Sequence, residues 1–309
     1  MVNWLNKLWK AGERIKAVIK KRATKEELAQ SNYVSCCVGL VSKKELANNY
    51  HTCPHCSKHF KITPAQRFTY LFDNGKYETF KTPMPTDDPL EFVAVKSYKD
   101  QLKSARKKTG LDCSMVVASG EINKIKCTVV ASDFSFLGAS VEAAEGEAIL
   151  FAAMHAIENK QPLIVVAMGG GMRMQASMIS LSQMPRTTIA INEVKAAGLP
   201  YLVIMSDPVA GGITASYAML SDISFAEPGC TVAFAGRRVI QGTVNQELPE
   251  SFQTSESVLA TGFICRICDR KNLNNEIGIL LSILLKKNNV ITSEVNETSE
   301  NPQKIREAI

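Results

Sequence analysis

Two adjacent glycines, Gly211 and Gly212, stand in a stretch that reads as strand, tight turn and helix: GLPYLVIMSDPVAGGITASYAMLSDISFAEP, residues 198–228. A short apolar run predicts a buried strand over 201–205, Pro208, Gly211 and Gly212 predict the turn, and helical spacing resumes near Thr214. Glycines at a helix mouth leave backbone N–H groups uncovered beside the positive end of the helix dipole. That arrangement suits a developing oxyanion. The same two residues also suit an ordinary strand-to-helix turn, because glycine marks turns of every kind.

Cysteines offer a second chemistry. There are nine, and four fall between Cys36 and Cys56, which points to reduced thiols or a metal site rather than a disulfide framework. Cys53-Pro-His-Cys56 is a metal knuckle, with two thiolates three apart in a tight turn. The other half is irregular, because Cys36 and Cys37 are adjacent and Val34 occupies the place of a ligand paired with Cys37. The expected zinc set is Cys37, Cys53 and Cys56, with Cys36 or one of His51, His55 and His59 as a strained fourth. The alternative is a ribbon that has lost its metal. Cys265-Arg-Ile-Cys268 has ligand spacing too, but on a strand residues three apart face opposite ways.

Side-chain catalysis finds little support. Of four histidines, His51, His55 and His59 lie in the ribbon region and only His155 remains, inside a helical run that suggests packing. A Ser-His-Asp or Cys-His machine is therefore not expected. Backbone donors that hold an oxyanion serve reactions passing through a thioester enolate.

The elements that must position these groups repeat along the chain. Strand-like runs over 127–137, 163–168, 201–205 and 230–235 are each turned by glycine (Gly138, Gly169–171, Gly211–212 and Gly236) and followed by helical sequence. Pro162 and Pro200 open two of these units 38 residues apart, so one supersecondary unit is stacked several times. Stacking of this kind gathers the glycine turns along one edge of a right-handed α/β body. The expected organisation is a basic amphipathic segment over 1–30, a ribbon over 31–62, a helix and proline-rich linker over 63–96, a large domain over 97–285 and a disordered polar tail over 286–309.

With 309 residues, 45% hydrophobic and 21% charged, the composition is that of a globular chain and excludes a disordered or fibrous one. The longest apolar cluster, 277–285, is broken by Gly278 and Ser282 and is too short to span a membrane. The N-terminus lacks the apolar core of a secretory signal, so a cytoplasmic protein is expected. A net charge of +6 suits a phosphate-bearing ligand, an acidic partner or nucleic acid.

Several long motifs in order, ELANNYHTCPHCSKHF, AQRFTYLFDNG, SYKDQLKSARKKTG, GGGMRMQASMISLSQM, the 198–228 stretch, FAGRRVIQGTV and LPESFQTSE, resemble the carboxyltransferase β subunit of bacterial acetyl-CoA carboxylase. The resemblance covers about 33–285. It implies an N-terminal zinc ribbon followed by a crotonase-like α/β domain, a superhelix of repeated ββα units. It further implies carboxyl transfer from carboxybiotin to acetyl-CoA to give malonyl-CoA. The implied partners are a carboxyltransferase α subunit in an α2β2 assembly, biotin carboxyl carrier protein and biotin carboxylase. Gly211 and Gly212 would form the oxyanion cradle, and Gly170, Gly171 and Arg173 would lie near the CoA thioester. No protein base is required, which agrees with the histidine census.

The sequence departs from the family pattern at Val34, Met172, Ala176, Arg237 and the LGASVEAAEG stretch. Met172 places a long side chain at a turn expected to face ligand. Two other readings stand beside the transferase. One is a structural subunit that has lost turnover. The other is a zinc-ribbon module that binds nucleic acid through Lys43, Lys44, Lys58 and Lys61, although only Tyr50 and Phe60 offer rings for base stacking.

Overall fold

The computed structural model describes residues 32–244 and 247–286. The basic segment expected over 1–30 and all but the first residue of the tail expected over 286–309 lie outside the described residues. The described residues begin with a hairpin, β1 (Tyr33–Ser35) and β2 (Leu40–Ser42), and a short helix α1 (Lys43–Asn48) capped by the Ser42 hydroxyl. Val41, Leu46 and Cys53 form its small core.

The region expected to be a connector belongs to the body instead. Helix α2 (Pro64–Leu71) starts from a reciprocal Thr63/Gln66 capping box with Pro64 in its first turn. It ends at Leu71, and Asn74 and Gly75, where its end is expected from the sequence, turn back with φ of 54° and 63°. Phe68, Leu71 and Phe72 are buried in the core. Strand β3 (Tyr77–Phe80) then becomes the edge of the large sheet. Its four residues, Tyr77-Glu78-Thr79-Phe80, carry rings at both ends and polar side chains between, so no alternation marks them as a strand.

Helix α3 (Tyr98–Thr109) runs from the Ser97 cap to Gly110, whose φ of 72° stops it. Strands β4 (Met115–Ile122) and β5 (Ile125–Ser132) form a hairpin through Asn123 and Lys124, both at positive φ as a two-residue loop requires. Helix α4 (Ala143–Glu158), β6 (Leu163–Gly169), α5 (Ser177–Leu181), α6 (Gln183–Ala196), β7 (Tyr201–Val209), β8 (Ile223–Ala226), α7 (Arg237–Val244), α8 (Ser255–Ala260), β9 (Arg266–Ile267) and α9 (Leu273–Leu284) complete the chain.

The seven strands lie in sequential order β3 to β9, antiparallel as far as β5 and parallel from there. Leu163 pairs with Tyr201, the spacing of the Pro162/Pro200 repeat. Strands β5 to β8 are buried on both faces, which explains their continuous apolar runs. One core lies against the alanine-rich face of α4 and against α6; the other lies under α2 and α9. This is the expected crotonase-like α/β architecture.

Two expected elements differ. The strand that begins at Tyr201 runs on through Pro208 to Val209, and no helix starts at Thr214; turns lead instead to a single 3₁₀ turn, Tyr217–Leu220. Thr214 Oγ1 donates to the Gly211 carbonyl at 2.7 Å and Ser216 Oγ to that of Gly212 at 2.6 Å, so side chains compete for the carbonyls a helix would use. The strand expected over 230–235 reduces to single bridges, Val209 with Val232 and Thr231 with Thr254.

The ribbon is fastened to the body by buried charge. Glu227, just after β8, accepts from Arg270 Nε and Nη2 at 2.8 and 2.9 Å and pairs with Arg67 Nη2 at 2.8 Å. Arg270 Nη1 donates to the Tyr50 carbonyl, and His59 reaches Asp269 at 3.4 Å.

Candidate active site and metal centre

The glycine turns after β6 and β7 lie side by side. Ala210 N–H donates to the Gly169 carbonyl at 3.1 Å, Gly170 N–H to Gly138 at 3.3 Å, and Gly211 N–H to Phe234 at 2.9 Å. Gly171 and Gly211 hold φ of 118° and 64°. A Cβ on Gly171 would stand 3.5 Å from the Gly211 α-carbon and 3.5 Å from the Gly212 nitrogen. Those distances are ordinary contact, and it is the positive φ that calls for glycine at Gly171 and Gly211.

Each pair therefore divides into two roles. The N–H groups of Gly170 and Gly211 are spent on holding the turns together. Those of buried Gly171 and half-buried Gly212 have no acceptor among the described residues. Unpartnered backbone N–H groups are rare away from water, and here two occupy adjacent turns. Because turns rather than the expected helix follow Gly212, no helix dipole stands behind these amides.

Met172 follows Gly171 and turns toward Gly212. A Cβ on Gly212 would meet Met172 Cγ at 2.7 Å, Met172 Cε at 2.9 Å and Met184 Sδ, from α6, at 3.0 Å. Met172 was visible in the sequence as a departure, whereas Met184, twelve positions later, gave no signal.

The side chain of Arg173, a residue expected near the CoA thioester, is turned into the body. It is 2% exposed. Its guanidinium bonds Glu145 at 2.7 Å, Glu142 at 3.0 Å, Tyr98 Oη at 2.9 Å and the Ser140 carbonyl at 2.5 Å. Ser114 contributes both N–H and hydroxyl to Glu145. Arg173 thus ties α3, β4 and the start of α4 to the turn after β6. Burial works against the charge on Arg173, but Glu145 and Tyr98 raise its pKa above the usual arginine value. Burial likewise pushes Glu145 upward, and Arg173 with the Ser114 N–H outweighs it, leaving its carboxyl low. Glu142, dominated by burial, is raised. Glu142 and Glu145 form a reciprocal capping box at the start of α4, a Glu-x-x-Glu signal that the sequence reading did not use.

In the ribbon, the sulfurs of Cys36, Cys53 and Cys56 lie within 4.8 Å of one another, close enough to hold one metal ion. The expected first ligand, Cys37, is exposed and outside the cluster. Alternation along the extended chain explains the correction: Val34 and Cys36 turn inward and Cys37 outward. The histidines do not complete the set. His51 bonds Tyr70 and Gln66, His59 faces Asp269, and His55 is exposed. Three thiols fit zinc as a partial tetrahedron, and Val34 packs against the same small core as Cys36 and Cys56.

His155 bonds Thr128 Oγ1 at 3.0 Å and packs against Phe80 and Phe151. Thr128 pairs with Leu163 at the start of the parallel strands, so this histidine sits at the end of the sheet away from the glycine turns. Lys61 lies 3.4 Å from the centroid of the Phe134 ring and is exposed. Cys265 is exposed and Cys268 buried, on opposite sides of their strand as expected. Among the described residues, no helix is long and apolar enough to cross a membrane.

The carboxyl transferase domain family matches residues 89–264. The acetyl-coenzyme A carboxylase carboxyl transferase subunit beta of Pelagibacter ubique is 57% identical over 307 residues, 99% of each chain. That of Liberibacter asiaticus is 43% identical over 287 residues, 92% of this chain and 99% of its own. Among solved structures, transcarboxylase 12S aligns with a TM-score of 0.58 at 20% identity, covering 72% of this chain and 41% of that one. A Pseudomonas malonate decarboxylase MdcD-MdcE hetero-dimer aligns at 0.55 and 17%, covering 72% and 86%. The structural likenesses show the fold alone; the sequence relatives, matched over nearly their whole length, show that the chain belongs to the acetyl-coenzyme A carboxylase carboxyl transferase subunit β family.

Proposed function

We propose that this chain binds acetyl-CoA and receives on it the carboxyl group of carboxybiotin, giving malonyl-CoA. The observation that carries the reading is the pair of unpartnered N–H groups, Gly171 and Gly212, on adjacent turns. They would hold the thioester oxygen as it gains charge on enolisation, while Gly170 and Gly211 fix the turns that aim them. Carboxybiotin, presented by a separate carrier protein, is a substrate here. It yields CO2, the biotin nitrogen left behind takes the methyl proton, and the acetyl carbon attacks CO2. No side-chain base is needed, in keeping with His155 at the far end of the sheet.

The partners are a carboxyltransferase α subunit in an α2β2 assembly, biotin carboxyl carrier protein and biotin carboxylase. Met174 and Met178, 85% and 69% exposed just beyond the Gly171 turn, support a subunit contact there, since exposed apolar groups of this kind mark interaction surfaces. We also assign zinc to Cys36, Cys53 and Cys56, as a structural ion of the ribbon. The cytoplasm, where acyl-CoA substrates are found, is the compartment this reading requires.

Co-expression with the α subunit of the same source, followed by an assay of carboxyl transfer from malonyl-CoA to free biotin, tests the proposal. Transfer that disappears in Gly212→Val supports it; a stable wild-type complex without transfer refutes it.

A further inference from the structure

Met172 and Met184 approach Gly212 from two elements, the turn after β6 and helix α6, and both are half-buried. A methyl group on Gly212 would already be within 3.0 Å of Met184 Sδ and closer still to Met172. The space beside the Gly212 α-carbon is thus filled by two thioether side chains. Resting on the reading that Gly171 and Gly212 hold the thioester oxygen, we propose that Met172 and Met184 form the wall that sets acyl length, admitting a two-carbon acyl group and excluding its methyl-extended homologue.

The argument is one of orientation. The thioester oxygen and acyl carbon are bonded to the same carbonyl carbon, so an oxygen held at the Gly212 N–H keeps the acyl carbon close to Gly212, and the wall acts in the orientation that turns this carbon to the side where a Gly212 Cβ would stand. That is where the methionines stand. A methyl group fits against them, and one further carbon must displace a thioether. Methionine is flexible and yields more readily than a branched side chain. Discrimination by one methylene in an apolar pocket runs from about tenfold to 200-fold, and a thioether wall belongs near the lower end.

The test uses the complex with the α subunit. Transfer to free biotin is measured from malonyl-CoA and from methylmalonyl-CoA, and the quantity read is the ratio of the two kcat/KM values. The wild type is expected to favour malonyl-CoA by about tenfold or more. Met172→Ala should collapse that ratio by about tenfold, Met184→Ala should lower it less, and Met172→Leu, similar in volume, should keep it. An unchanged ratio in Met172→Ala overturns the proposal. Calorimetric binding of acetyl-CoA and propionyl-CoA to wild type and Met172→Ala decides the same question without turnover. Absence of transfer in the wild type would therefore count against the transferase reading, while the binding ratio still judges the wall.

Discussion

Met172 lies against the α-carbon of Gly212, its Cγ and Cε 2.7 and 2.9 Å from where a side chain on that glycine would begin. The two residues belong to turns after different strands, so their contact couples the β6 and β7 ends of the site. Gly212→Ala should cut carboxyl transfer by about 10²–10³-fold, the usual cost of losing one oxyanion donor, because the new methyl group displaces the turn. Adding Met172→Ala to Gly212→Ala should restore part of the rate. A double-mutant cycle in kcat/KM is expected to give a coupling of about 0.5–3 kcal/mol, the range for residues in contact. Strict additivity would mean that the methionine does not confine the glycine.

Arg173 should behave as a structural residue. Arg173→Met leaves the buried carboxylates of Glu142 and Glu145 without their cation, and breaking a buried pair in this way costs about 3–5 kcal/mol. Urea unfolding should show that loss, while the folded fraction keeps its KM for acyl-CoA. A raised KM at unchanged stability would return Arg173 to the ligand-binding role suggested by its place in the motif.

The repeated layout was readable because it is written in local pattern: buried apolar runs, glycine turns and the 38-residue interval that the Leu163–Tyr201 register reproduces. Edge strand β3 was not, since its four residues, Tyr77-Glu78-Thr79-Phe80, show no alternation and lie beside a helix and a proline-rich segment. At the site, sequence located both glycine pairs but could not divide them, because the acceptors that engage Gly170 and Gly211, the carbonyls of Gly138 and Phe234, come from other turns. The role of Arg173 was likewise hidden. Its partners Tyr98, Ser140, Glu142 and Glu145 are spread over several elements, and no spacing in the sequence announces their convergence.

The metal centre makes a discriminating prediction about adjacent cysteines. Cys36→Ala should lower the zinc content of the purified complex, measured by elemental analysis, whereas Cys37→Ala should leave it unchanged. Val34→Cys, on the same inward side as Cys36, should strengthen retention against a chelator by adding a fourth thiolate. Loss of zinc from Cys37→Ala alone would refute the assignment.

The acid response of the ribbon–body junction follows from Glu227. Burial alone would drive its carboxyl upward, but Arg67, His59 and Arg270 outweigh burial and hold it well below the usual carboxylate range. In the unfolded chain the same group titrates near its ordinary value of about 4.3. The folded state therefore binds this proton less readily than the unfolded state. Its contribution to stability is complete above that ordinary value and is lost as pH falls toward the folded-state value. Glu227→Gln removes the carboxylate shared by two buried guanidinium groups, and it should cost about 3–5 kcal/mol at pH 7. The difference between wild type and variant should then shrink below pH of about 4 as the wild-type carboxylate loses its advantage. Urea unfolding of both proteins at pH 7, 5, 4 and 3, with limited proteolysis reporting release of the ribbon, measures this gap. A gap of constant size across the series would show that the arginines are held by something other than the charge on Glu227.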